Sequence, residues 1–505
     1  MVLVFSGYKH VESTTVVKTS SESYVDDTPA TLSFTLAKPK IALILYNPSN
    51  KNDTNPYGLR YGISVDGSLV AAQYNSSYGS PRTTGALVFW IGQLSAGTHT
   101  IKGQFAACRS AYGDVHITNR TLTVILFDGN INDFAYIRAI GHVEVWSTSF
   151  KDDPDCVINL NLPYAQKALI LYAASNDYDT VEDIEGKGVA VQVDGEDSVE
   201  QCDGPPLSGE VNHAFVAIQR TLDAGSHTIK GRFRAISGSA GVDERLIGVL
   251  LFDQTLPTDS VEDDVTKVTV KTGESYDDDT PAAVTRSTSQ IYYLLAFYCN
   301  SKPYPNGNTY NGVKTALNVD GVDYYLSNRA LYGAYSNYTV GLGAYLFLPV
   351  QPGDHTIKGR LAQVTADPIG ATVTERTLEC LWFSYKKGTV QPLPPPIKKL
   401  GEPVVKLDRY SGSDTTYQTL VSWVVASGKK GSLKEISMLS DNFDKTYFRL
   451  RIGGETKFED KQIQSPLTLS FPDNELDEGT EVLLECKSTD GSVITVDGTI
   501  IGKEY

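Results

Sequence analysis

One nine-residue pattern of alternating polar and hydrophobic positions occurs three times along the chain. It reads Gly-Thr-His-Thr-Ile-Lys-Gly-Gln-Phe at 97–105, and close copies occupy 225–233 and 353–361. In an extended strand the histidine, the isoleucine, the inner glycine and the phenylalanine share one face, and polar residues occupy the other. The pattern therefore predicts a β-strand with one buried face in each copy.

The spacing of the three copies predicts a chain of similar domains. Their histidines, His99, His227 and His355, are separated by 128 residues each time (227 − 99 and 355 − 227). This period is the length of a domain and exceeds the period of a solenoid repeat. We therefore expect each repeat to fold around its own core.

Other hydrophobic stretches return in the same order around the motif. In the first repeat the hydrophobic run at 41–46 precedes an Asp-Gly turn signal at 66–67, and a run at 120–128 closes the repeat. The second and third repeats follow the same order, without helical periodicity. Some seven to eight strands in about 125 residues are typical of an antiparallel β-sandwich, here of the jelly-roll type.

The chain is predicted to be all-β, with three tandem jelly-roll repeats and a distinct C-terminal β domain. The repeats are assigned to residues 1–130, 131–257 and 258–388. A proline-rich stretch at 389–403 predicts an extended, semi-rigid linker. Residues 404–505 lack the repeated motif but still alternate as strands, which predicts a C-terminal β-sandwich domain of a different type.

The repeated histidines raise the question of a metal site. No other residue with ligand chemistry recurs at a fixed offset from them. We therefore expect each histidine to be half-buried at the start of a core strand and hydrogen-bonded to a turn. The inner glycines, Gly103, Gly231 and Gly359, are expected to mark a bulge or a close backbone approach. No metal and no other cofactor is expected.

Composition narrows the possible partners. A formal net charge of −16 and the absence of basic runs interleaved with aromatic residues argue against a nucleic-acid-binding surface. No hydrophobic run approaches the length of a membrane span. The first residues lack the features of a secretory signal peptide. We therefore expect a soluble protein that is not exported by the general secretory route.

Six cysteines occur at positions that the repeats do not share. No CxxC pattern is present, so neither a disulfide framework nor a zinc ribbon is expected. Pairing of Cys156 with Cys202, or of Cys299 with Cys380, stays open because each pair falls within one repeat.

The sequence contains none of the common catalytic signatures. A GxSxG elbow, an HExxH helix, a phosphate loop and a dinucleotide fingerprint are all missing. A glycosidase pair of carboxylates stays open in so acidic a chain. A catalytic site repeated three times in tandem is rare, however, whereas structural and binding modules are commonly reused. We expect no enzymatic activity, and an enzyme with appended modules is the least favoured alternative.

Two stretches are candidates for binding surfaces. Tyrosine can stack on sugars or pack against protein, and the third repeat gathers tyrosines in a stretch rich in glycine and asparagine: Tyr324, Tyr325, Tyr332, Tyr335 and Tyr338. Packing within the sheets is the alternative interpretation. The second repeat carries an acidic region between 177 and 203, but no Asp-x-Asp-x-Asp-Gly calcium loop occurs there. A solvated surface is the favoured interpretation of that region.

These features together resemble a class of viral surface protein. The tandem jelly rolls carry a turn-Gly-x-His-Thr-Ile-Lys-Gly strand and a closing Arg-Thr-Leu strand, at 120–122 and 376–378. In this they resemble the turret or spike proteins at the vertices of icosahedral viruses of thermophilic archaea, and next to these the fibre-like proteins of phages. The C-terminal domain, with Tyr-Phe-Arg-Leu at 447–450, resembles a virus-type accessory module.

The resemblance implies a non-enzymatic structural protein on the virion surface, assembled in the host cytoplasm. It implies a homo-oligomer, a pentamer where the vertex is fivefold, with one end on other capsid proteins and the other on a host surface receptor or glycan. It assigns no functional residue. The alternative is an extracellular, cell-surface carbohydrate-binding or adhesion protein built from β-sandwich modules, against which the missing signal peptide weighs.

Overall fold

The structure is a computed structural model that describes residues 2–52, 59–75, 82–108, 113–175, 187–203, 213–235, 238–266, 268–270, 276–301, 313–324, 342–363, 371–373, 375–384, 402–427 and 429–504. Within these ranges the fold is all-β, as the sequence predicts, and helix is limited to two single 3-10 turns, Ile131–Asp133 and Phe443–Lys445. Neither turn has the length or the hydrophobicity to cross a membrane. The chain forms two units, Met1–Pro396 and Ile397–Tyr505.

The first repeat forms two facing sheets, ordered β1-β11-β4-β8 and β3-β9-β5-β6, with β7 beside β4 and a separate β2–β10 ribbon. Its strands are β1 (Val4–Ser13), β2 (Val17–Thr19), β3 (Val25–Leu36), β4 (Lys40–Asn52), β5 (Leu59–Val65), β6 (Ser68–Asn75), β7 (Arg82–Gly85), β8 (Val88–Leu94), β9 (Gly97–Ala107), β10 (Val115–Ile117) and β11 (Asn119–Asp128). The repeated motif is β9.

The second repeat has the same sheet order, β12-β20-β14-β18 and β13-β19-β15-β16, with β17 beside β15. Its strands are β12 (Phe134–Val145), β13 (Lys151–Leu162), β14 (Gln166–Ser175), β15 (Lys187–Val193), β16 (Glu196–Asp197), β17 (Gln201–Asp203), β18 (His213–Leu222), β19 (Gly225–Ala235) and β20 (Ala240–Asp253).

The third repeat again has this order, β21-β30-β24-β27 and β23-β28-β25-β26, with a β22–β29 ribbon. Its strands are β21 (Thr258–Asp263), β22 (Val268–Val270), β23 (Asp277–Thr288), β24 (Tyr292–Ser301), β25 (Val313–Val319), β26 (Val322–Tyr324), β27 (Leu342–Val350), β28 (Gly353–Gln363), β29 (Ala371–Val373) and β30 (Glu375–Ser384). Two antiparallel four-stranded sheets connected in this way are a jelly roll.

The C-terminal unit is a separate β-sandwich that has the same strand order, β31-β38-β33-β36 and β32-β37-β34-β35. The sequence does not reveal this kinship, because the unit lacks the repeated motif. Its strands are β31 (Glu402–Gly412), β32 (Gln418–Val424), β33 (Gly431–Ser440), β34 (Thr446–Ile452), β35 (Glu455–Lys461), β36 (Leu467–Leu476), β37 (Glu481–Ser488) and β38 (Ile494–Glu504).

The three repeats do not have fully separate cores, which is where the structure departs from the sequence-based expectation. One hydrophobic cluster joins the first repeat to Leu169 and Leu171 of the second and to Leu295 and Phe297 of the third. These side chains lie on the outer faces of β14 and β24. The outer face of one sheet from each repeat therefore packs against the other two.

A triangle of phenylalanines marks the centre of this shared core. Phe127, Phe252 and Phe383 end the equivalent strands β11, β20 and β30, and their ring centroids are 5.6, 5.6 and 5.5 Å apart. Near-equal distances between equivalent residues indicate a pseudo-threefold axis. The repeats thus form a closed ring within one chain, held by hydrophobic burial at its centre.

Each repeat has two unlike ends. At one end lie short connections, such as the Asp66-Gly67 turn between β5 and β6 and the turn before Gly97. At the other end β4, β6 and β9 finish, and longer connections follow them. We call these the short-turn end and the loop end. β30 runs toward the short-turn end, where the chain leaves the third repeat at Ser384.

Candidate functional site

The repeated histidine ties two turns together at the short-turn end. The Nδ1 atom of His99 lies 2.7 Å from Oδ2 of Asp66, and its Nε2 atom lies 2.9 Å from the carbonyl oxygen of Ser95. The backbone amide of Thr100 donates to Oδ1 of Asp66 at 2.8 Å. Asp66 has a positive φ of 51°, which Asp tolerates in a tight turn. The histidine thus fixes this turn against the start of the motif strand.

The other two repeats contain the same arrangement. The Nδ1–carboxylate distances are 2.6 and 2.7 Å, and the Nε2–carbonyl distances are 2.8 and 2.6 Å. The residues are His227 with Asp194 and Asp223, and His355 with Asp320 and Gln351.

Both ring nitrogens of each histidine face a hydrogen-bond acceptor, and only the protonated ring can donate from both. Burial opposes the charge on His99, but bonds to the Ser95 carbonyl and the Asp66 carboxylate outweigh it and raise the pKa. The hydrogen bond that the His227 ring donates to the Asp194 carboxylate raises the pKa of His227. A ring with both nitrogens in use offers no lone pair to a metal. In the described part of the chain, no three His, Cys, Asp or Glu side chains are grouped to hold an ion.

The inner glycine of the motif accommodates a tyrosine ring. A Cβ atom at Gly103 would lie 2.5 Å from the ring of Tyr46, and equivalent contacts of 2.4 Å occur between Gly231 and Tyr172 and between Gly359 and Tyr298. A side chain at this position would overlap the ring, so the close approach accounts for the glycine. The bulge of the region lies on the neighbouring strand, between Asp26 and Thr31 of β3.

These tyrosines belong to a buried polar cluster that sequence reasoning missed. The Tyr46 hydroxyl donates to Oδ2 of Asp27 at 2.7 Å, and Nε of Arg120 lies 2.8 Å from the same oxygen. All three side chains are fully buried. The clusters of the other repeats consist of Tyr172, Asp153 and Arg245, and of Tyr298, Asp279 and Arg376.

A repeated Asp-Asp pair is the sequence signal that could have found this cluster. It occurs at 26–27, 152–153 and 278–279. The first aspartate binds the motif lysine at the surface, as Asp26 binds Lys102 at 2.5 Å, while the second turns inward to the arginine. Burial raises the pKa of Asp27 and Asp279, although the arginine and the tyrosine hydroxyl oppose this effect. The inward carboxylate depends on its arginine.

Three seams between neighbouring repeats close the ring, and we number them by chain order. In the first seam, Phe89 and Ile91 of β8 pack on Gly248 of β20, where a Cβ atom would lie 2.6 Å from Ile91 Cδ1 and 3.0 Å from the Phe89 ring. The Gln73 side chain also donates to the carbonyl oxygen of Glu244 at 3.3 Å. This seam thus combines hydrophobic contacts with hydrogen bonds, and the Arg138 guanidinium also donates to the carbonyl oxygen of Leu69 at 3.2 Å.

The third seam joins the last repeat to the first. The Tyr345 hydroxyl of β27 lies 2.8 Å from Oγ1 of Thr123 and 3.0 Å from Oγ1 of Thr121, both on β11. Beside them the Tyr8 ring packs on Phe347 at a centroid distance of 4.9 Å. The first and last repeats are therefore joined by side-chain packing and by hydrogen bonds of the Tyr345 hydroxyl.

The second seam differs from the other two because it buries an acid without an arginine partner. Glu244 of the first seam is also buried, but it is paired with Arg138 at 3.0 Å. Glu379 of β30 occupies the position that corresponds to Thr123 and Gly248, as the strand registers show. It lies against β18, where the Gln219 side chain donates to the carbonyl oxygens of Asp259 and Cys380 at 3.3 and 3.2 Å.

The candidate tyrosine surface lies mostly beyond the described part of the chain. Tyr324 is half-buried at the end of β26, and burial raises its pKa. Tyr325, Tyr332, Tyr335 and Tyr338 fall outside the described residues. The stretch that contains them connects β26 to β27.

Two described acidic residues of this region in the second repeat are paired with arginines. Asp197 binds Arg232 at 2.7 Å and Glu200 binds Arg234 at 2.7 Å. Residues 177–186 of the acidic region lie outside the described residues. The described part of this region is thus a surface of ion pairs.

The possible disulfide between Cys299 and Cys380 is not formed: both residues are buried thiols outside any disulfide. Cys299 belongs to the shared core, whereas Cys380 follows Glu379 and faces the opposite side of the same sheet. Cys156 also has a free thiol, and the side chain of Cys202 lies outside the described residues.

The C-terminal unit presents a different surface on the sheet that corresponds to the ring-forming one. Val405 and Leu407 of β31 are 63% and 74% exposed. They pair with Ile501 and Thr499 of β38, and Ser437 of β33 lies next in the same row. Hydroxyl groups and isolated aliphatic side chains thus replace the buried hydrophobic face of the repeats.

No family model matches this chain, and no curated protein matches it. Similar solved structures include that of Sulfolobus turreted icosahedral virus, with 9% identity and a TM-score of 0.20 over 74% of this chain and 91% of the other. The structure of PNGF-II has 9% sequence identity and a TM-score of 0.26, over 70% of this chain and 100% of the other. The structure of the plant receptor-like kinase FER has 8% sequence identity and a TM-score of 0.18, over 50% of this chain and 89% of the other. Similarities at this level carry no argument about function.

Proposed function

We propose that this protein is a non-enzymatic structural component of a virion, a turret or spike that projects from the capsid and takes part in host attachment. The observation that carries the proposal is the closed ring of three jelly rolls around a shared core. Such a ring is a rigid block, and the features repeated in its three parts, the histidine turns and the buried Tyr–Asp–Arg clusters, all stabilise the ring itself. The sequence resemblance to vertex proteins of archaeal viruses points the same way.

The two ends of the ring suit the two tasks of a projection. Loops that emerge together from a rigid scaffold are common recognition surfaces, and the longer connections of each repeat emerge at the loop end. The described part of the third repeat ends at the short-turn end, at Ser384. In this proposal the loop end contacts the host surface, and another part of the chain contacts other capsid proteins.

Antibodies raised against the purified chain test this proposal on particles and cells that contain it. Labelling should concentrate on capsid vertices in electron micrographs, and native mass spectrometry of the full-length protein should give a closed homo-oligomer. Labelling of a cell envelope without particles would contradict the virion role.

One observation favours the alternative of a carbohydrate-binding or adhesion protein. Trp146 follows β12 at the loop end and is 67% exposed, and an exposed indole is a good platform for a sugar ring. A glycan array with the wild-type chain and the Trp146→Ala variant distinguishes this alternative from the virion role. Binding that the variant loses, together with envelope labelling, would support the alternative.

A further inference from the structure

The second seam contains a buried carboxyl group that lacks a partner. Glu379 is fully buried, and neither of its carboxyl oxygens has a hydrogen-bond partner among the residues that the structure describes. The equivalent positions in the other seams hold Thr123, whose hydroxyl is bonded to Tyr345, and Gly248, which carries no side chain. An unpartnered carboxylate at such a position would be strongly unfavourable.

The charged groups near Glu379 do not neutralise it. Arg220 of β18 faces it, but the guanidinium of Arg220 is bound to Glu262 of β21 by two hydrogen bonds, one of them 3.1 Å long. Cys380, the next residue, is a buried thiol. Burial, followed by the negative charge of Glu262, raises the pKa of Glu379 well above its ordinary range, although Arg220 and the amides of Gln219 oppose the shift.

The amide of Gln219 indicates which form of the acid the seam accepts. Its nitrogen donates to two carbonyl oxygens, while its Oε1 atom is buried and has no donor among the described residues. The Oε1 atom of Gln219 and the carboxyl oxygens of Glu379 are all hydrogen-bond acceptors. A hydrogen bond between the two side chains through these oxygens therefore requires a proton on the carboxyl group. A neutral carboxylic acid supplies that proton, whereas a carboxylate is an acceptor only.

We propose that Glu379 makes the second seam pH-sensitive: the seam closes around the neutral acid and loosens when the carboxyl group ionises. The other two seams hold Thr123 and Gly248 at this position, and the buried Glu244 of the first seam is paired with Arg138 at 3.0 Å, so these seams stay closed. The ring therefore has one seam that opens in preference to the others as the pH rises. This inference concerns the ring alone and does not depend on a role in virions.

The direction of the effect follows from proton linkage. In the unfolded chain Glu379 ionises near the ordinary value of about 4.3, whereas in the closed seam it keeps its proton to higher pH. Between these two values the folded protein binds more protons than the unfolded chain, so its stability falls as the pH rises. The unfolding equilibrium constant increases by up to about tenfold per pH unit through this group.

The Glu379→Gln variant removes the titration while it keeps the shape and the neutral state. Urea unfolding of the full-length wild type and the variant, followed by tryptophan fluorescence from pH 5 to 9, measures the ratio of their unfolding constants. Other titrating groups cancel in this ratio. We expect the wild type to lose stability relative to Glu379→Gln as the pH rises. The control Ile91→Val, at the first seam, changes only hydrophobic packing against Gly248 and should keep a constant ratio to the wild type.

Hydrogen exchange at equal pH shows where the wild type opens. At pH 9 the wild type should exchange faster than Glu379→Gln in β18 and β30, and equally in β8 and β27. A wild-type to Glu379→Gln ratio that stays constant from pH 5 to 9 would overturn the proposal. A changing ratio without faster exchange in β18 and β30 would overturn it as well, because the titration would then act elsewhere.

Discussion

The repeats and the C-terminal unit have the same strand order but use it differently. In the repeats, the central strands β4, β14 and β24 are buried on both faces over almost their whole length. In the C-terminal unit, the corresponding β33 and β38 alternate between buried and partly exposed residues. One topology therefore supports a shared core in the first case and a self-contained sandwich in the second. The side chains on the outer face decide between the two.

The sequence carries this difference. The hydrophobic run at 41–46 and its counterparts at 168–172 and 292–299 are continuous, and continuous runs are typical of strands that are buried on both faces. Strand β38 instead alternates, as Thr495, Asp497 and Thr499 show. Periodicity could thus have predicted a shared core, but it could not say which three faces meet.

The strongest contrast should come from the buried and exposed arginines. Arg376→Met leaves Asp279 buried without its partner, so we expect a loss of about 3 to 5 kcal/mol in the free energy of unfolding. Arg409 of the C-terminal unit binds Asp497 at 2.6 Å at the surface, and Arg409→Met should change stability little. Urea unfolding of both variants measures the difference. Equal losses would mean that the buried clusters do not stabilise the repeats.

A second comparison uses the outer faces themselves. Phe252→Ala removes one corner of the phenylalanine triangle and should cost about 3 to 5 kcal/mol, because it leaves a cavity in the shared core. Leu407→Ala lies on the corresponding sheet of the C-terminal unit and should stay within about 0.5 kcal/mol of the wild type. Thermal unfolding by calorimetry compares them. A loss of stability in Phe252→Ala as small as that in Leu407→Ala would show that the three faces do not share a core.

The glycine of the motif gives an intermediate effect. Gly103→Ala places a methyl group against the Tyr46 ring, and such overpacking costs about 1 to 3 kcal/mol. Ser33→Ala, on the exposed face of the neighbouring strand β3, is the control and should be nearly neutral. Chemical denaturation measures both, and a stabilised Gly103→Ala variant would disprove the tight approach of the ring.

The smallest effect concerns the histidine turns, which the C-terminal unit lacks. The pKa of His227 is raised in the folded protein, so its contribution is complete below pH 6.5 and is lost as the pH rises through the folded-state pKa. We expect this contribution to stay below about 1 kcal/mol, because the Asp194 partner is largely solvent-accessible. His227→Gln should flatten the dependence of Tm on pH above 6.5. An unchanged dependence of Tm on pH would show that protonation of His227 does not stabilise the fold.

The fold could be predicted further than the site. Period-two alternation and repeated turns predicted the all-β class and three tandem jelly rolls. The role of Asp27 could not be predicted, because adjacent aspartates look alike in sequence until the bulge of β3 turns one inward. Glu379 was equally hidden, since its burial depends on which strand of another repeat packs over it. Contacts between distant strands leave no local pattern.

Hydrogen exchange of the full-length chain in increasing denaturant tests the shared core most directly. If the three repeats form one ring, β4, β14 and β24 should lose protection together with a single free energy of opening, and β33 should open in a separate event. Three unrelated opening free energies for β4, β14 and β24 would contradict the ring and leave three independent jelly rolls.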